Sequence, residues 1–394
     1  MAEQKRTGEL EKMKPIYLDY NATTPIDPEV AEAMSPYIFE RFGNPSSSHW
    51  YGLQTKEAVE KARDQVANLL NCNPDEVVFT GGGSESNNYA IKGAAFANRG
   101  KGNHLITSSI EHPAVIEVCK YLEEKDFQVT YLPVDQFGQV DPRAVEKAIT
   151  SSTVLISIMH ANNEVGTIQP IAEIATIARD HGIVFHTDAA QSAGKIPTTI
   201  NHLGVDLLSM AGHKLYGPKG IGALYIRRRI QLEKLVHGAG HEQGRRAGTE
   251  NVLEIVGLGK ACEIAKRDLE KNMDHMQKMR DLLHQELKKE WHEIKLNGHP
   301  ERRLPNTLSV SFRNIEANKL LAEIDRVAVS AGAACHSHAV KVSSVLQAMK
   351  VELEYAMGTV RFSTGKMTTA EEVKESAAIF GKTARRLQGE KQKW

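Results

Sequence analysis

The segment Ala211-Gly212-His213-Lys214-Leu215-Tyr216-Gly217-Pro218-Lys219-Gly220 places a lysine just after the apolar run Leu207–Met210 and just before a Gly/Pro turn. A lysine that condenses with a carbonyl compound needs a fixed position and surroundings that let it lose its proton, and a strand end supplies both. The plain alternative is a surface lysine in a loop. Asp188 follows the strand-like run Val184–His186. Carboxyl ends of strands in an open α/β sheet face the ligand crevice. There an aspartate can hold the protonated ring nitrogen that pyridoxal chemistry uses as an electron sink; elsewhere it is simply a helix N-cap. Gln191, three residues on, is placed to reach a ring oxygen. In Thr80-Gly81-Gly82-Gly83-Ser84 a strand runs through glycines into a helix, where free N–H groups and a hydroxyl can bind phosphate. The segment has neither the Gly-Lys-Ser/Thr ending of a nucleotide loop nor a Gly-x-Gly-x-x-Gly pattern, so a tight turn without a ligand is its other reading.

Further candidates follow other strands. Glu111-His112 offers a histidine that can lie against a cofactor ring and move protons, or serve a structural role only. Met159–Gly166 contains the polar cluster Asn162-Asn163-Glu164. Arg361, in Val360-Arg361-Phe362-Ser363, is a candidate bidentate clamp for a carboxylate, or an ordinary surface arginine. Cys335 sits among small residues in Ala331-Gly332-Ala333-Ala334-Cys335-His336-Ser337-His338, as a reachable nucleophilic thiol would. Cys-His-x-His without a second ligand pair is a poor zinc signal, so no metal is assigned.

These residues need a scaffold. Val77–Thr80, Leu105–Thr107, Val129–Leu132, Val154–Met159, Val184–His186, Leu207–Met210 and Ala223–Ile226 alternate with helical stretches, the pattern of a mostly parallel, doubly wound sheet with flanking helices. Residues 28–40 and 54–70 carry helical periodicity around the loop Gly43–His49. A helical stretch without proline runs from Asn251 to about Lys289, leading into a smaller α+β unit with strands over 305–313, 326–331 and 359–363. The reading is a polar tail over 1–14, a large cofactor-binding domain over 15–260, whose first residues can pack with the small domain, and a small domain over 261–394 that carries the Cys335 loop.

Composition narrows the function. The 394 residues include 49 Lys plus Arg against 49 Asp plus Glu, a balance that suggests neither a nucleic-acid nor an anionic-membrane partner. Apolar residues at 41% and charged residues at 25% are ordinary for a globular protein. Cys72, Cys119, Cys262 and Cys335 form no CxxC pair, so neither a disulfide framework nor a zinc ribbon is indicated, and scattered thiols suit a reducing cytoplasm. Acidic residues near the N-terminus argue against a transit peptide, and no apolar run approaches membrane-spanning length.

Taken in order, the motifs from about Ile16 to about Thr369 resemble the cysteine desulfurase and selenocysteine lyase family of fold-type-I pyridoxal-5′-phosphate (PLP) enzymes. The resemblance implies a homodimeric enzyme that converts L-cysteine to L-alanine. It implies that Lys214 carries PLP, Asp188 and Gln191 hold the ring nitrogen and oxygen, and His112 stacks on the ring, where it is expected to deprotonate the substrate thiol. Gly83, Ser84 and His213 then meet the phosphate, and Thr249 reaches the phosphate of the other subunit. Asn163 and Arg361 would bind the substrate carboxylate, and Cys335 would take the sulfur as a persulfide for a protein acceptor such as an iron–sulfur scaffold. Two positions depart from the common pattern. Ala211 stands where many of these enzymes have a phosphate-binding serine, and the Ala-Cys-His-Ser form resembles selenocysteine lyases, which act on L-selenocysteine. A transaminase on the same fold and an inactive sulfur-transfer scaffold are the rival readings.

Overall fold

The computed structural model describes residues 14–336 and 339–391. Residues 1–13 of the polar tail, Ser337 and His338 lie outside the described residues.

Seven strands form the main sheet: β2 (Val77–Thr80), β3 (His104–Ser108), β4 (Gln128–Leu132), β5 (Thr153–Ser157), β6 (Val184–Asp188), β7 (Leu207–Ala211) and β8 (Gly222–Ile226). Their order is β2-β8-β7-β6-β5-β3-β4. Only β8 runs against its neighbours, pairing antiparallel with β2 and β7. The carboxyl ends of the other six strands therefore share one edge. The strands β2, β3, β5 and β7 are buried at every residue, as expected where helices cover both faces. One polar ladder crosses this apolar sheet: His186 Nδ1 bonds Ser157 Oγ at 2.8 Å and its Nε2 bonds Ser209 Oγ at 2.9 Å. Burial lowers the His186 pKa to about 3, so it ties three strands together as a neutral ring.

One core lies on each side of the sheet. Ile106, Ile156, Phe185, Leu208 and Tyr225 pack against the helices Trp50–Leu70, Ile171–Asp180 and Val252–Arg267. Leu105, Leu155, Leu207 and Leu224 pack against Gly83–Ala97 and Pro113–Glu123.

The second unit is a four-stranded antiparallel sheet built from β9 (Ile294–Asn297), β10 (Thr307–Phe312), β12 (Ser330–Ala331) and β15 (Thr359–Ser363), in the order β12-β15-β10-β9. It packs against the helices Leu269–Glu290 and Ala370–Lys391. At its centre the Phe362 and Phe380 rings meet edge to face at 4.8 Å. Truncating a core phenylalanine of this kind costs about 3–5 kcal/mol. The N-terminal β1 (Ile16–Tyr17) pairs in parallel with β11 (Val327–Ala328), and Ile16 and Leu18 lie in this second core. A hairpin of β13 (Ala333–His336) and β14 (Ala339–Val342) follows β12.

Three breaks depart from the periodicity. The helix expected over 28–40 stops at Met34 and restarts at Pro36, because proline supplies no N–H to the preceding turn. The stretch expected to run from 251 to 289 is two helices that meet at Asp268. Ile264 and Ala265 still pack in the large core, whereas Leu283 packs in the small one. The strand expected over 326–331 divides at Val329 between two sheets.

Candidate active site

Five loops leave the shared carboxyl edge and meet at one cavity of about 310 Å³. Gly83, Ser84, His112, Asn163, Asp188, Gln191, His213, Lys214 and Arg361 all line it, so nine of the candidate residues from distant segments are gathered in one place.

Lys214 ends the single turn that follows β7. Its Nζ donates to the carbonyls of Asn21 at 2.5 Å and Ala22 at 2.7 Å. Burial, and then the positive charge of Arg361, lower its pKa to about 8, with Asp19 and Asp188 opposing. A lysine so placed is neutral often enough near pH 8 to attack a carbonyl.

Asp188 closes β6. Its Oδ2 accepts from Asn87 Nδ2 at 2.7 Å and its Oδ1 accepts from the Ala190 amide at 2.9 Å, which fixes the plane of the carboxylate. Asn87 lies one turn into the helix Gly83–Ala97, on the face that carries Gly83.

The anion end of the cavity is the start of that helix. Gly82, its N-cap, has φ 145° and ψ 179°, a backbone open to glycine only. A Cβ at Gly83 would stand 3.2 Å from the Ala211 Cβ and 3.9 Å from that of Ala190. Small residues thus leave a cradle in front of unbonded first-turn N–H groups, which suits a phosphate. Ala211 widens this cradle and contributes no hydroxyl. His213 borders it, with Nδ1 bonded to Thr23 Oγ1 at 3.1 Å; burial lowers its pKa to about 4.

His112 caps the helix Pro113–Glu123, its Nδ1 accepting from the Ala114 amide at 3.1 Å. The neutral ring therefore carries its proton on Nε2 and offers an N–H as its free group. Loss of solvation holds its pKa below the usual histidine value, against the pull of Asp188. Beneath it Glu111 is buried, accepting from Ser108 Oγ at 2.5 Å and from the Met159 amide at 3.0 Å. Burial raises the Glu111 pKa to about 8.

Arg361, on β15, reaches in from the small unit. Nη1 donates to the Asn163 carbonyl at 3.1 Å and Nη2 to Asp19 at 2.8 Å, while buried Nε has no partner among the described residues. Asn163 thus meets Arg361 through its backbone.

Two candidates stand apart. Thr249 lines a separate cavity of about 200 Å³ with Gly81, Arg246 and Asn251, so it does not border the cavity of its own chain. Its loop is pinned there: Arg63 bonds Glu242 through both nitrogens, at 2.8 and 2.9 Å, and Arg246 bonds Glu85 at 2.9 Å. Cys335 lies in the β13–β14 hairpin opposite Val340, and its side chain lies outside the described residues.

The motifs did not point to Asn21, which is 1% exposed. Its carbonyl accepts from both Lys214 Nζ and Gln191 Nε2, and its Nδ2 donates to the Asn163 carbonyl at 3.1 Å and to Thr307 Oγ1 at 2.8 Å. It lies in Asp19-Tyr20-Asn21-Ala22-Thr23-Thr24-Pro25, whose composition signals only a turn.

Comparison with known proteins decides the family. The aminotransferase class-V model matches residues 16–375, a span that contains every residue lining the cavity. A cysteine desulfurase IscS of Dictyoglomus turgidum is 48% identical over 374 residues, covering 94% of this chain and 95% of its own length. The chain belongs to the cysteine desulfurase family of class-V aminotransferases. Solved structures of the family superpose closely. A NifS-like protein matches with a TM-score of 0.88 and 39% identity, over 95% of this chain and 99% of its own. SspA, solved in complex with cysteine, matches with a TM-score of 0.81 and 39% identity, over 90% of this chain and all of its own, 100%. The family assignment agrees with the motif reading and with the expected seven-stranded α/β fold. Among the described residues no helix is long and apolar enough to cross a membrane.

Proposed function

We propose that this protein is a PLP-dependent cysteine desulfurase that converts L-cysteine to L-alanine and passes the sulfur to Cys335 as a persulfide. The observation that carries the reading is the single cavity shared by Lys214, Asp188, the glycine cradle at Gly83 and Arg361. Its donor set fits the cofactor end to end: a helix N-terminus for the phosphate, a fixed carboxylate for the ring nitrogen, and a lysine of pKa about 8 between them. When bound, PLP supplies an electron sink for charge developing at the substrate Cα.

The chain's own residues divide the remaining work. Lys214 anchors the cofactor and, once released by the substrate amine, moves the proton at Cα. Asp188, held by Asn87 and Ala190, keeps the ring nitrogen protonated. Gln191 donates toward the ring oxygen, and Gly83, Ser84 and His213 take the phosphate. His112 covers the ring. Its free N–H suits it to donate a hydrogen bond to the substrate sulfur, and not to take the thiol proton as the sequence suggested. Arg361 and Asn163 bind the substrate carboxylate. The Cys335 thiolate attacks the substrate sulfur. An S–S bond forms, the Cβ–S bond breaks with its electron pair going to Cβ, and protonation there completes alanine.

The active form in this reading is a homodimer in which Thr249 reaches the partner's phosphate. Exposed apolar side chains support it: Phe39 is 83% exposed, and Phe42, Trp50 and Leu53 are exposed as well, with Phe42 and Trp50 both against the Tyr51 ring. A cavity lined by Pro45, which lies between Phe42 and Trp50 in the chain, and by Glu250 brings that segment to the residue after Thr249. The persulfide then passes to an acceptor protein, for which an iron–sulfur scaffold in the cytoplasm is the expected partner. The similarity of the Ala-Cys-His-Ser segment to selenocysteine lyases makes L-selenocysteine the second substrate to test.

The test is borohydride reduction of the purified yellow protein, followed by peptide mapping and by product analysis with cysteine and selenocysteine side by side. Cofactor fixed on Lys214 and alanine formed from cysteine support the reading. Label on another lysine, or alanine from selenocysteine only, overturns it.

A further inference from the structure

Lys195 has no part in the mechanism above, yet it is 3% exposed and lies four residues after Gln191 in a run of turns. Among the described residues no carboxylate pairs with it. Its Nζ donates to Gln191 Oε1 at 3.0 Å and stands 3.5 Å from Asn21 Oδ1. A buried lysine without an anion is costly, and such groups are retained where their charge or geometry is used.

The geometry specifies what it does to Gln191. An ammonium only donates and a backbone carbonyl only accepts. The Gln191 atom facing Lys195 must therefore be oxygen, and the atom facing the Asn21 carbonyl, at 2.9 Å, must be nitrogen. Both partners require the same orientation of the amide. The second N–H on Nε2 is left for the cavity, which Gln191 lines beside Asp188 and Lys214.

We infer that Lys195 is a positioning residue that holds the Gln191 amide, polarises it, and through it acts on the ring oxygen of the cofactor. The inference rests on the PLP reading above.

The surrounding charges agree. Burial, then Lys214 and Arg361, lower the Lys195 pKa to about 7. His213 also faces it, and Asp27 and Lys366, already paired with each other, line the small cavity behind it. When the Lys214 nitrogen, bonded to the cofactor, has lost its proton, the largest like charge opposing Lys195 falls, and the ammonium gains strength as a donor to Oε1. A polarised amide donating to the ring oxygen favours its anionic form. That form prevails when the lysine-bonded nitrogen has lost its proton, so Lys195 lowers the pH at which that proton leaves.

The experiment is a pH titration of the visible absorption band of the loaded protein, in parent, Lys195→Met, Gln191→Met and the double variant. Lys195→Met is expected to raise the midpoint by roughly one pH unit. Lys195→Gln, which keeps a donor without charge, is expected to raise it less. In the Gln191→Met background, Lys195→Met should add nothing, because the two act as one unit. The apoprotein melting temperature should stay level or rise, since methionine suits a buried site; a merely structural lysine would lower it and leave the midpoint in place. An unmoved midpoint, or shifts that add in the double variant, overturns the role of Lys195. A parent protein without the band overturns the PLP reading instead. If Lys195→Met fails to fold, Lys195→Gln carries the same test.

Discussion

Arg361 donates from Nη2 to Oδ1 of Asp19 at 2.8 Å, a contact that spans 342 positions of the chain. Ser330 joins both, donating to the two Asp19 oxygens at 2.9 and 3.0 Å and accepting from Nη2 at 2.9 Å. The segment after the N-terminal strand and the small-unit sheet thus aim the guanidinium together at the cavity that Arg361 lines.

Disturbing this pair should affect substrate binding before cofactor binding. Asp19→Asn weakens a charge-assisted bond worth about 1.5–3 kcal/mol, so KM for cysteine should rise roughly tenfold or more. Arg361→Lys keeps the charge but loses the planar fork and should raise KM further. Steady-state kinetics with absorption spectra checks both. A normal KM in Arg361→Lys would move the carboxylate clamp elsewhere.

Cofactor capture should depend on pH through Lys214. Only the neutral amine attacks a carbonyl, and the Lys214 pKa is lowered to about 8. The capture rate of PLP by apoprotein should therefore rise about tenfold per pH unit on the acid side and level off above about pH 8. Stopped-flow absorbance measures it. A rate still climbing past pH 10, as for an ordinary lysine, would contradict the placement.

Glu111 should make stability fall with pH. Its folded-state pKa is raised from 4.5 to about 8, so the unfolded chain releases this proton first. The stabilisation is complete below about pH 4.5 and is lost as pH rises to about 8. Glu111→Gln keeps an acceptor for Ser108 and Met159 and has no proton to lose. The parent should lose on the order of 2–4 kcal/mol relative to this variant across that window. Urea unfolding at several pH values tests it, and parallel curves would refute it.

The seven strands of the large sheet were legible because burial on both faces makes each a short, nearly continuous apolar run between turn signals. Breaks were less legible. The break at Ser35 has a local signal in the proline that follows it, whereas Asp268 and Val329 mark where the chain passes from one core or sheet to another. Lys214, Asp188 and Gly83 stood out because their chemistry follows strand ends directly. Asn21 did not, because its role comes from partners 142 to 286 positions away. The same holds for Asp19, whose partner Arg361 lies 342 positions away.

Assembly should depend on the exposed aromatic patch. Phe39→Asp combined with Phe42→Asp places charge on an apolar surface and should shift the protein toward monomer in sedimentation at micromolar concentration. Thr249→Ala should leave the dimer intact and weaken PLP retention, about tenfold for one lost hydrogen bond to a charged group. A fully active monomer would contradict the shared site.

The most direct measurement is alanine formation from cysteine by Cys335→Ser, paired with mass spectrometry of the parent after brief exposure to cysteine. Breaking the carbon–sulfur bond requires a nucleophile to take the sulfur. Selenium leaves more readily, because the carbon–selenium bond is weaker and a selenol is more acidic. The variant should lose turnover of cysteine, retain a measurable share with selenocysteine, and keep its PLP spectrum. The parent should carry one added sulfur on the peptide that contains Cys335. Alanine released from cysteine by Cys335→Ser at the parent rate, with no sulfur on that peptide in the parent, would contradict the account.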